Sequence, residues 1–181
     1  MPGASAPLKT AEGAEYARIL SVGGYRPARV VTNEEICERI DSSDEWIRER
    51  SGIVSRRFAA PEESVVDMAV AASGKAIAQA GIAPEQIGAV LLATVTHPLQ
   101  TPSAAADVAY RLGATSAGAF DISAACAGFC YGVATANDLV RGGTAEYVLV
   151  IGVEKLSDFT DSYDRSSAFI FGDGAGAVDI G

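Results

Sequence analysis

Two short apolar runs constrain the fold of this chain more than any other feature. Residues 88–94 and 147–152 are apolar almost throughout, and each is too short to be a buried helix. Such runs are typical of strands that are covered on both faces. Stretches with helical start and stop signals lie between them. Strands that alternate with helices predict an α/β layered fold with a largely parallel sheet and helices on both faces.

Capping signals divide the remainder of the chain. Thr32 and Glu35 have the spacing of a capping box, and Gly52 and Gly81 are suited to end helices. The glycines at 23 and 24 are expected to end the first strand. The predicted strands are 17–23, 88–94, 118–123, 147–152, 169–171 and 175–180, and the predicted helices follow Thr32 and Ser43 and occupy 64–80, 102–112 and 126–140.

Composition excludes several classes of protein. The chain has 181 residues, 49% of them hydrophobic, and a net charge of −9, which disfavours binding to nucleic acid or to an anionic membrane surface. No run reaches the ~18 apolar residues of a membrane span. Residues 1–14 are predicted to be a flexible tail and 15–181 one folded unit. Three cysteines without a disulfide framework favour a reducing, cytoplasmic location.

Cys126 is the candidate nucleophile. It stands where a predicted strand runs into a helix, and the unpaired amides of a helix start favour a thiolate. Its own amide could bind a developing thioester oxyanion, and small neighbours leave room for a substrate. The alternative is a small core residue. Cys130, one turn on, makes a metal pair conceivable, but His97 is the only histidine and no metal site is expected. Cys37 is expected in the core.

The glycine-rich segment 171–178 admits two interpretations. A dinucleotide site requires such glycines to open a helix after a strand. Here Ala-Val-Asp-Ile follows Gly176, which is strand-like. We therefore favour a tight turn with close backbone packing over a nucleotide site.

Taken together, the motifs resemble β-ketoacyl-[acyl-carrier-protein] synthase III, a thiolase-fold condensing enzyme. They occur in the family's order and extend over residues 15–181. The matching segments are Ser-Asp-Glu-Trp-Ile at 43–47, Arg-Ser-Gly-Ile at 50–53, Ala-Ala-Cys-Ala-Gly-Phe at 124–129, Asp-Arg at 164–165 and Phe-Gly-Asp-Gly-Ala-Gly-Ala at 171–177.

The resemblance implies a mechanism and its partners. A short acyl-coenzyme A would acylate Cys126, and condensation with malonyl-carrier protein would follow with loss of carbon dioxide, starting fatty-acid or polyketide synthesis. Coenzyme A thioester is the substrate, no further cofactor is expected, and the enzyme would be a homodimer. Trp46 and Arg165 match the family's grip on the coenzyme A adenine, and Arg50 matches a further contact. Without the resemblance, the favoured interpretation is a packed surface tryptophan and solvated arginines at helix ends.

Two positions bear on the primer. Phe171 is expected to line the primer pocket, or else to be core. Thr101 stands where some members carry a Phe that reaches into the partner's acyl pocket, and a Thr there would leave space for a longer or branched primer. A local basic patch could dock an acidic carrier protein, and its candidates are Arg48, Arg50, Arg56 and Arg57.

The family's catalytic His and Asn lie in a second half and have no counterpart in these residues. His97 matches a loop near the dimer contact and is not expected to be the base. The chain is therefore expected to be one α-β-α half of a five-layer α-β-α-β-α architecture, exposing an apolar face. A non-catalytic scaffold half is the alternative, although an exposed Cys126 with small neighbours disfavours it.

Overall fold

The computed structural model describes residues 12–181, so residues 1–11 of the predicted tail lie outside the described part of the chain. The last residues of that tail contact the body of the protein. The Ala14 amide donates a hydrogen bond to the Val140 carbonyl at 3.4 Å.

Seven strands and five α-helices form the described chain. Three short 3-10 helices cover Pro84–Gln86, Ala125–Ala127 and Leu156–Asp158. The strands are β1 (Ile19–Tyr25), β2 (Arg29–Thr32), β3 (Ser55–Phe58), β4 (Ile87–Ala93), β5 (Gly118–Ile122), β6 (Tyr147–Lys155) and β7 (Asp173–Ile180), and the helices are α1 (Asn33–Cys37), α2 (Asp44–Ser51), α3 (Val65–Ala80), α4 (Ala104–Leu112) and α5 (Gly128–Arg141).

The main sheet is mixed rather than largely parallel. Its order is β1-β7-β6-β4-β5, with β4 parallel to β5 and β6, and β7 antiparallel to β6 and β1. The prediction of a largely parallel sheet was wrong because no α-helix crosses the sheet between β6 and β7. The chain instead returns from the end at which it left, so that Asp173 pairs with Lys155.

Helices cover both faces of this sheet, as predicted. Helices α3 and α4 pack on one face and α5 packs on the other, giving three α-β-α layers. Two apolar clusters separate the layers, one containing Val90, Leu92 and Leu149 and the other containing Leu91 and Val150. The strand residues of both clusters are fully buried, which explains the uninterrupted apolar runs of β4 and β6.

The capping signals are confirmed with one change. Ser64 and Asp67 form a reciprocal capping box at the start of α3. Thr32 accepts a hydrogen bond from the Glu35 amide at 3.3 Å, but the Glu35 carboxylate pairs with Arg29 instead of returning to the cap. Gly52 and Gly81 end their helices with φ angles of 71° and 70°.

Several glycines permit close packing rather than turns. A Cβ added at Gly23 would lie 2.1 Å from the Ala72 carbonyl oxygen of α3, so β1 continues past this glycine to Tyr25. The predicted strand 169–171 and the predicted glycine turn between it and strand 175–180 were both wrong. Residues 169–171 do not form a strand, and β7 begins at Asp173 and includes Gly174 and Gly176. Strand β7 continues from Gly176 to Ile180, where a dinucleotide site requires a helix, and this excludes the dinucleotide interpretation.

A second, two-stranded sheet was not predicted. Strands β2 and β3 pair antiparallel, and with α1 and α2 they enclose a third apolar cluster. Ile36 and Ile40 belong to this cluster, and Cys37 packs against it, as expected. Burial raises the pKa of the Cys37 thiol, which disfavours its thiolate.

The apolar face expected of a half-structure is present beside α5. Val22 of β1 is 63% exposed and lines a shallow groove with Phe129, Gly176 and Val178. No helix within residues 12–181 combines the length and apolar character needed to cross a membrane.

The approach of α5 to the sheet gives a first prediction. A Cβ at Gly132 would lie 2.8 Å from Val150 Cγ1, whereas a Cβ at exposed Gly74 on α3 would meet nothing within 4 Å. We expect Gly132→Ala to destabilise the protein by about 1–3 kcal/mol through overpacking, and Gly74→Ala to stabilise it by about 0.5–1 kcal/mol. Urea unfolding of both variants measures this, and equal shifts would contradict the packing.

Asp179 of β7 gives a second prediction. One of its carboxylate oxygens accepts from Ser21 at 2.8 Å, and the other is buried without a partner in residues 12–181. Burial raises the pKa of the Asp179 carboxyl, so its contribution to stability is lost as the pH rises through the raised value. Asp179→Asn should therefore stabilise the fold by about 1 kcal/mol at neutral pH.

That gain should shrink as the pH falls through the raised pKa of Asp179 and should be absent below about 4, where the carboxyl is protonated in both the folded and the unfolded state. Unfolding measured across this range tests it. A gain that is constant with pH would show that ionisation of Asp179 carries no cost.

Candidate active site

Cys126 lies in the 3-10 turn that leads from β5 into α5. The α-helix begins two residues later, at Gly128, so the prediction that it starts at Cys126 was wrong. The preceding residue, Ala125, has a φ of +45° and is the one non-glycine residue with positive φ in the described chain. This left-handed conformation is costly for alanine and is characteristic of functional turns. It accompanies an exposed Cys126 side chain.

Cys126 opens onto a cleft of about 570 Å³. Phe129 and Phe171 contribute aromatic walls, and glycines of β6 and β7 widen the floor. A Cβ at Gly152 would lie 3.4 Å from the Phe129 ring. The structure thus brings Phe171 to the same cleft as Cys126, and its role as a wall of the primer pocket stays a prediction. The complete lining is Ala93, Val95, Ala125, Cys126, Phe129, Gly152, Val153, Glu154, Leu156, Phe171, Gly172, Gly174, Ala175 and Gly176.

The structure also brings Trp46, Arg50 and Arg165 together. The guanidinium carbons of Arg50 and Arg165 lie 4.5 Å and 5.1 Å from the Trp46 ring centroid. Arg165 Nε donates to the Asp41 carbonyl at 2.6 Å, and Phe169 meets the Trp46 ring edge-on at 5.5 Å. The cluster therefore offers an aromatic face and two cations within one surface region.

The turn before Arg165 is held by its neighbours. Asp164 accepts hydrogen bonds from Ser167 and from the Ser166 amide and hydroxyl. These bonds, the Ser167 hydroxyl first, lower the pKa of the Asp164 carboxyl. An ionised Asp164 thus keeps the turn, and with it the backbone of Arg165, in one conformation.

Arg56 supports the same region from inside. It is buried and donates to the Val31 carbonyl, to Asn33 Oδ1 at 2.7 Å and to the Phe169 carbonyl at 3.0 Å. The proposal that Arg56 forms part of a docking patch was therefore wrong, because its guanidinium faces the interior. Arg57 is half-buried on the Pro27 and Ala28 carbonyls.

Thr101 and His97 lie on the loop after β4 and not in the cleft. Thr101 is exposed and His97 half-buried, and neither belongs to the lining of the Cys126 cleft. Within residues 12–181, no group of three His, Cys, Asp or Glu side chains is arranged to hold a metal ion.

Three carboxylates that hold the segments around the site were given no role from the sequence. Asp121 accepts from the first amides of α4, Ala104 and Ala105, both at 2.8 Å. Asp173 joins the Ala59 amide to the Ser157 amide and hydroxyl. Glu154 binds the loop after β4. Their positions near strand ends could have indicated such roles, because the loops around a site in an α/β fold meet at the ends of the strands.

Comparison with known proteins agrees with this geometry. The family model for 3-oxoacyl-[acyl-carrier-protein (ACP)] synthase III matches residues 120–181. The chain is 63% identical over 174 residues to β-ketoacyl-[acyl-carrier-protein] synthase III 1 of Streptomyces coelicolor, covering 96% of this chain and 51% of that protein. The corresponding protein of Mycobacteroides abscessus is 60% identical over 163 residues, covering 90% and 48%.

Solved structures show the same fold. The priming β-ketosynthase from the R1128 polyketide biosynthetic pathway superposes with a TM-score of 0.93 at 47% identity, covering 96% of this chain and 52% of that one. The 3-oxoacyl-[acyl-carrier-protein] synthase III from Aquifex aeolicus gives 0.88 at 44% identity, covering 91% and 53%.

These observations define a thiolase-like α/β fold. In sequence and fold the chain is similar to β-ketoacyl-[acyl-carrier-protein] synthases III. It spans about half the length of the curated relatives that it matches.

Proposed function

We propose that this chain supplies the nucleophilic half of a β-ketoacyl-[acyl-carrier-protein] synthase III. The polypeptide that carries it would condense an acyl-coenzyme A primer with malonyl-carrier protein and so start fatty-acid synthesis. The observation that carries the proposal is the exposed Cys126 on a strained turn, facing an apolar cleft with small neighbours. Residues beyond this half would provide the base and the second hydrogen-bond donor for decarboxylation.

The first step is acyl transfer to sulfur. The Cys126 thiolate attacks the thioester carbonyl, an S–C bond forms, and the coenzyme A thiolate leaves. In the second step, malonyl-carrier protein loses carbon dioxide, and its α-carbon attacks the acyl carbonyl as Cys126 leaves. The cleft walls keep the acyl group in apolar surroundings, where water competes poorly for the intermediate.

The Trp46 cluster is the proposed coenzyme A site. A nucleotide base can stack on an indole or guanidinium face, and arginine binds phosphate with paired donors. Trp46, Arg50 and Arg165 supply these groups in one place. The proposed enzyme is a homodimer, is located in the cytoplasm and docks an acidic carrier protein. The exposed candidates for this docking are Arg48 and Arg50.

A second candidate is a priming ketosynthase of polyketide synthesis. The similarity to the R1128 priming enzyme favours it. The two candidates share the chemistry at Cys126 and differ in primer. The small side chain of exposed Thr101 favours longer or branched primers in either case, because it would fill less of a neighbouring acyl pocket than Phe.

Acylation gives the third prediction. Incubation of the full polypeptide with acetyl-, isobutyryl- and hexanoyl-coenzyme A should add one acyl group, traced by peptide mass spectrometry to Cys126. We expect isobutyryl to be accepted at least as well as acetyl, given Thr101. Cys126→Ser should abolish the adduct, and Cys130→Ser is the matched control that should retain it.

An adduct that persists in Cys126→Ser would assign the nucleophile elsewhere. The absence of any adduct with all three thioesters would contradict the proposed function. A strong preference for acetyl-coenzyme A would contradict only the interpretation of Thr101.

Binding of coenzyme A gives the fourth prediction. Trp46 is the only tryptophan, so its fluorescence reports on this site alone. Coenzyme A should quench it, and Arg165→Ala should weaken binding by about tenfold, as expected for the loss of a charge-assisted contact. Arg48→Ala is the control, because Arg48 pairs with Asp44 and does not stack on Trp46. Equal affinities of the two variants would contradict the assignment.

A further inference from the structure

The Cys126 cleft contains one carboxylate that takes no part in the proposed reaction. Glu154 is the penultimate residue of β6 and is the only Asp, Glu, Lys, Arg or His among the residues that line the cleft. It is half-buried in otherwise largely apolar surroundings. A charge in such a place requires hydrogen-bond partners, and their identity indicates what it holds.

All its partners lie on the three residues that follow β4. Glu154 Oε1 accepts from the Val95 amide at 3.0 Å. Its Oε2 accepts from the Thr96 hydroxyl at 2.6 Å and from the Thr94 hydroxyl at 3.2 Å. Thr94 and Thr96 are both buried, at 6% and 3% exposure, so these bonds compete little with water.

Backbone amides donate to both of these hydroxyls. The Lys155 amide donates to the Thr96 hydroxyl oxygen at 2.9 Å, and the Thr96 amide donates to the Thr94 hydroxyl oxygen at 3.2 Å. Each hydroxyl thus accepts from an amide and passes its own hydrogen to Glu154. The Glu154 side chain acts as the acceptor in each of these bonds.

This network begins where the strand ladder stops. The parallel pairing of β4 with β6 ends at Ala93 and Gly152. Beyond that pair, the Glu154 side chain replaces backbone pairing and ties residues 94–96 to β6. Val95, in the middle of the tied segment, is 45% exposed and lines the Cys126 cleft. The wall of the cleft at Val95 therefore depends on a side chain from another strand.

We propose that Glu154 is a positioning residue of the acyl pocket, which it acts on through Val95 and the segment 94–96. Its carboxylate fixes how closely this wall approaches Cys126 and so limits the size of the acyl group that fits. That an acyl group occupies the cleft rests on the proposed function. The effect of Glu154 on the shape of the cleft does not.

The test measures the size of the cleft independently of acyl transfer. In the full polypeptide, Cys126 is alkylated with iodoacetamide and with the bulkier N-phenylmaleimide, and each rate is read from the Cys126 peptide by mass spectrometry. The variants are Glu154→Ala, Glu154→Gln and Val95→Ala, with exposed Glu85→Ala as the matched control. Acylation by acetyl- and hexanoyl-coenzyme A is measured alongside.

Releasing the wall should favour the larger reagent. We expect Glu154→Ala to raise the ratio of bulky to small alkylation by about tenfold, a size that small displacements at a reacting centre reach readily. Glu154→Gln should give a smaller rise in this ratio. The amide keeps one acceptor oxygen, but its NH2 group then faces either the Val95 amide or the threonine hydroxyls, so part of the network is lost. Val95→Ala should act in the same direction, and the effect of Glu154→Ala should largely vanish in that background. Glu85→Ala should leave the ratio unchanged.

The outcomes separate the two proposals. An unchanged ratio in folded Glu154 variants, while Val95→Ala raises it, would overturn the positioning role. Full additivity of Glu154→Ala and Val95→Ala would overturn it as well. A ratio that rises as expected in a protein that no acyl-coenzyme A acylates would sustain the role of Glu154 and overturn the proposed function instead.

Discussion

The contact between α5 and the sheet determines where the reactive sulfur stands. Gly128 and Gly132 present no side chain to β4 and β6, and a Cβ at either would come within 3 Å of Ala93 or Val150. The backbone of α5 can therefore lie close to the sheet, and the turn before the helix lies at the ends of the strands. Ala125 takes a left-handed conformation in this turn. The position of Cys126 at the cleft thus follows from the close packing of α5 against the sheet.

Carboxylates at the strand ends accept hydrogen bonds where the backbone pairing between strands has stopped. Asp121 accepts hydrogen bonds from the first amides of α4, and Glu154 and Asp173 each accept them from amides of a loop. Bonds from amides to an ionised acceptor are among the stronger ones in proteins. Arg56 does the converse with two carbonyls and Asn33, and it links the small β2-β3 sheet to the turn that bears Phe169. The loops around the site are therefore fixed by side chains from neighbouring elements.

Local signals in the sequence predicted most elements but not how they pair. The apolar runs of β4 and β6 and the capping residues Ser43 and Ser64 act within a few residues, so their elements were identified correctly. The antiparallel β7, the β2-β3 sheet and the burial of Arg56 depend on contacts distant in sequence, which periodicity does not encode. The clustering of Trp46 with Arg165 was expected only through a family resemblance, since more than one hundred residues separate them in the chain. Glu154 carried no pattern beyond its place near a strand end.

The central claim is that Cys126 carries the acyl group within the cleft beside Phe171. A crystal structure of the full polypeptide after reaction with acyl-coenzyme A tests it most directly. We expect continuous density from Cys126 Sγ into the cleft, with the acyl chain against Phe171 and Val95. An acyl group on Cys130, or one on Cys126 that points away from these side chains, would contradict it.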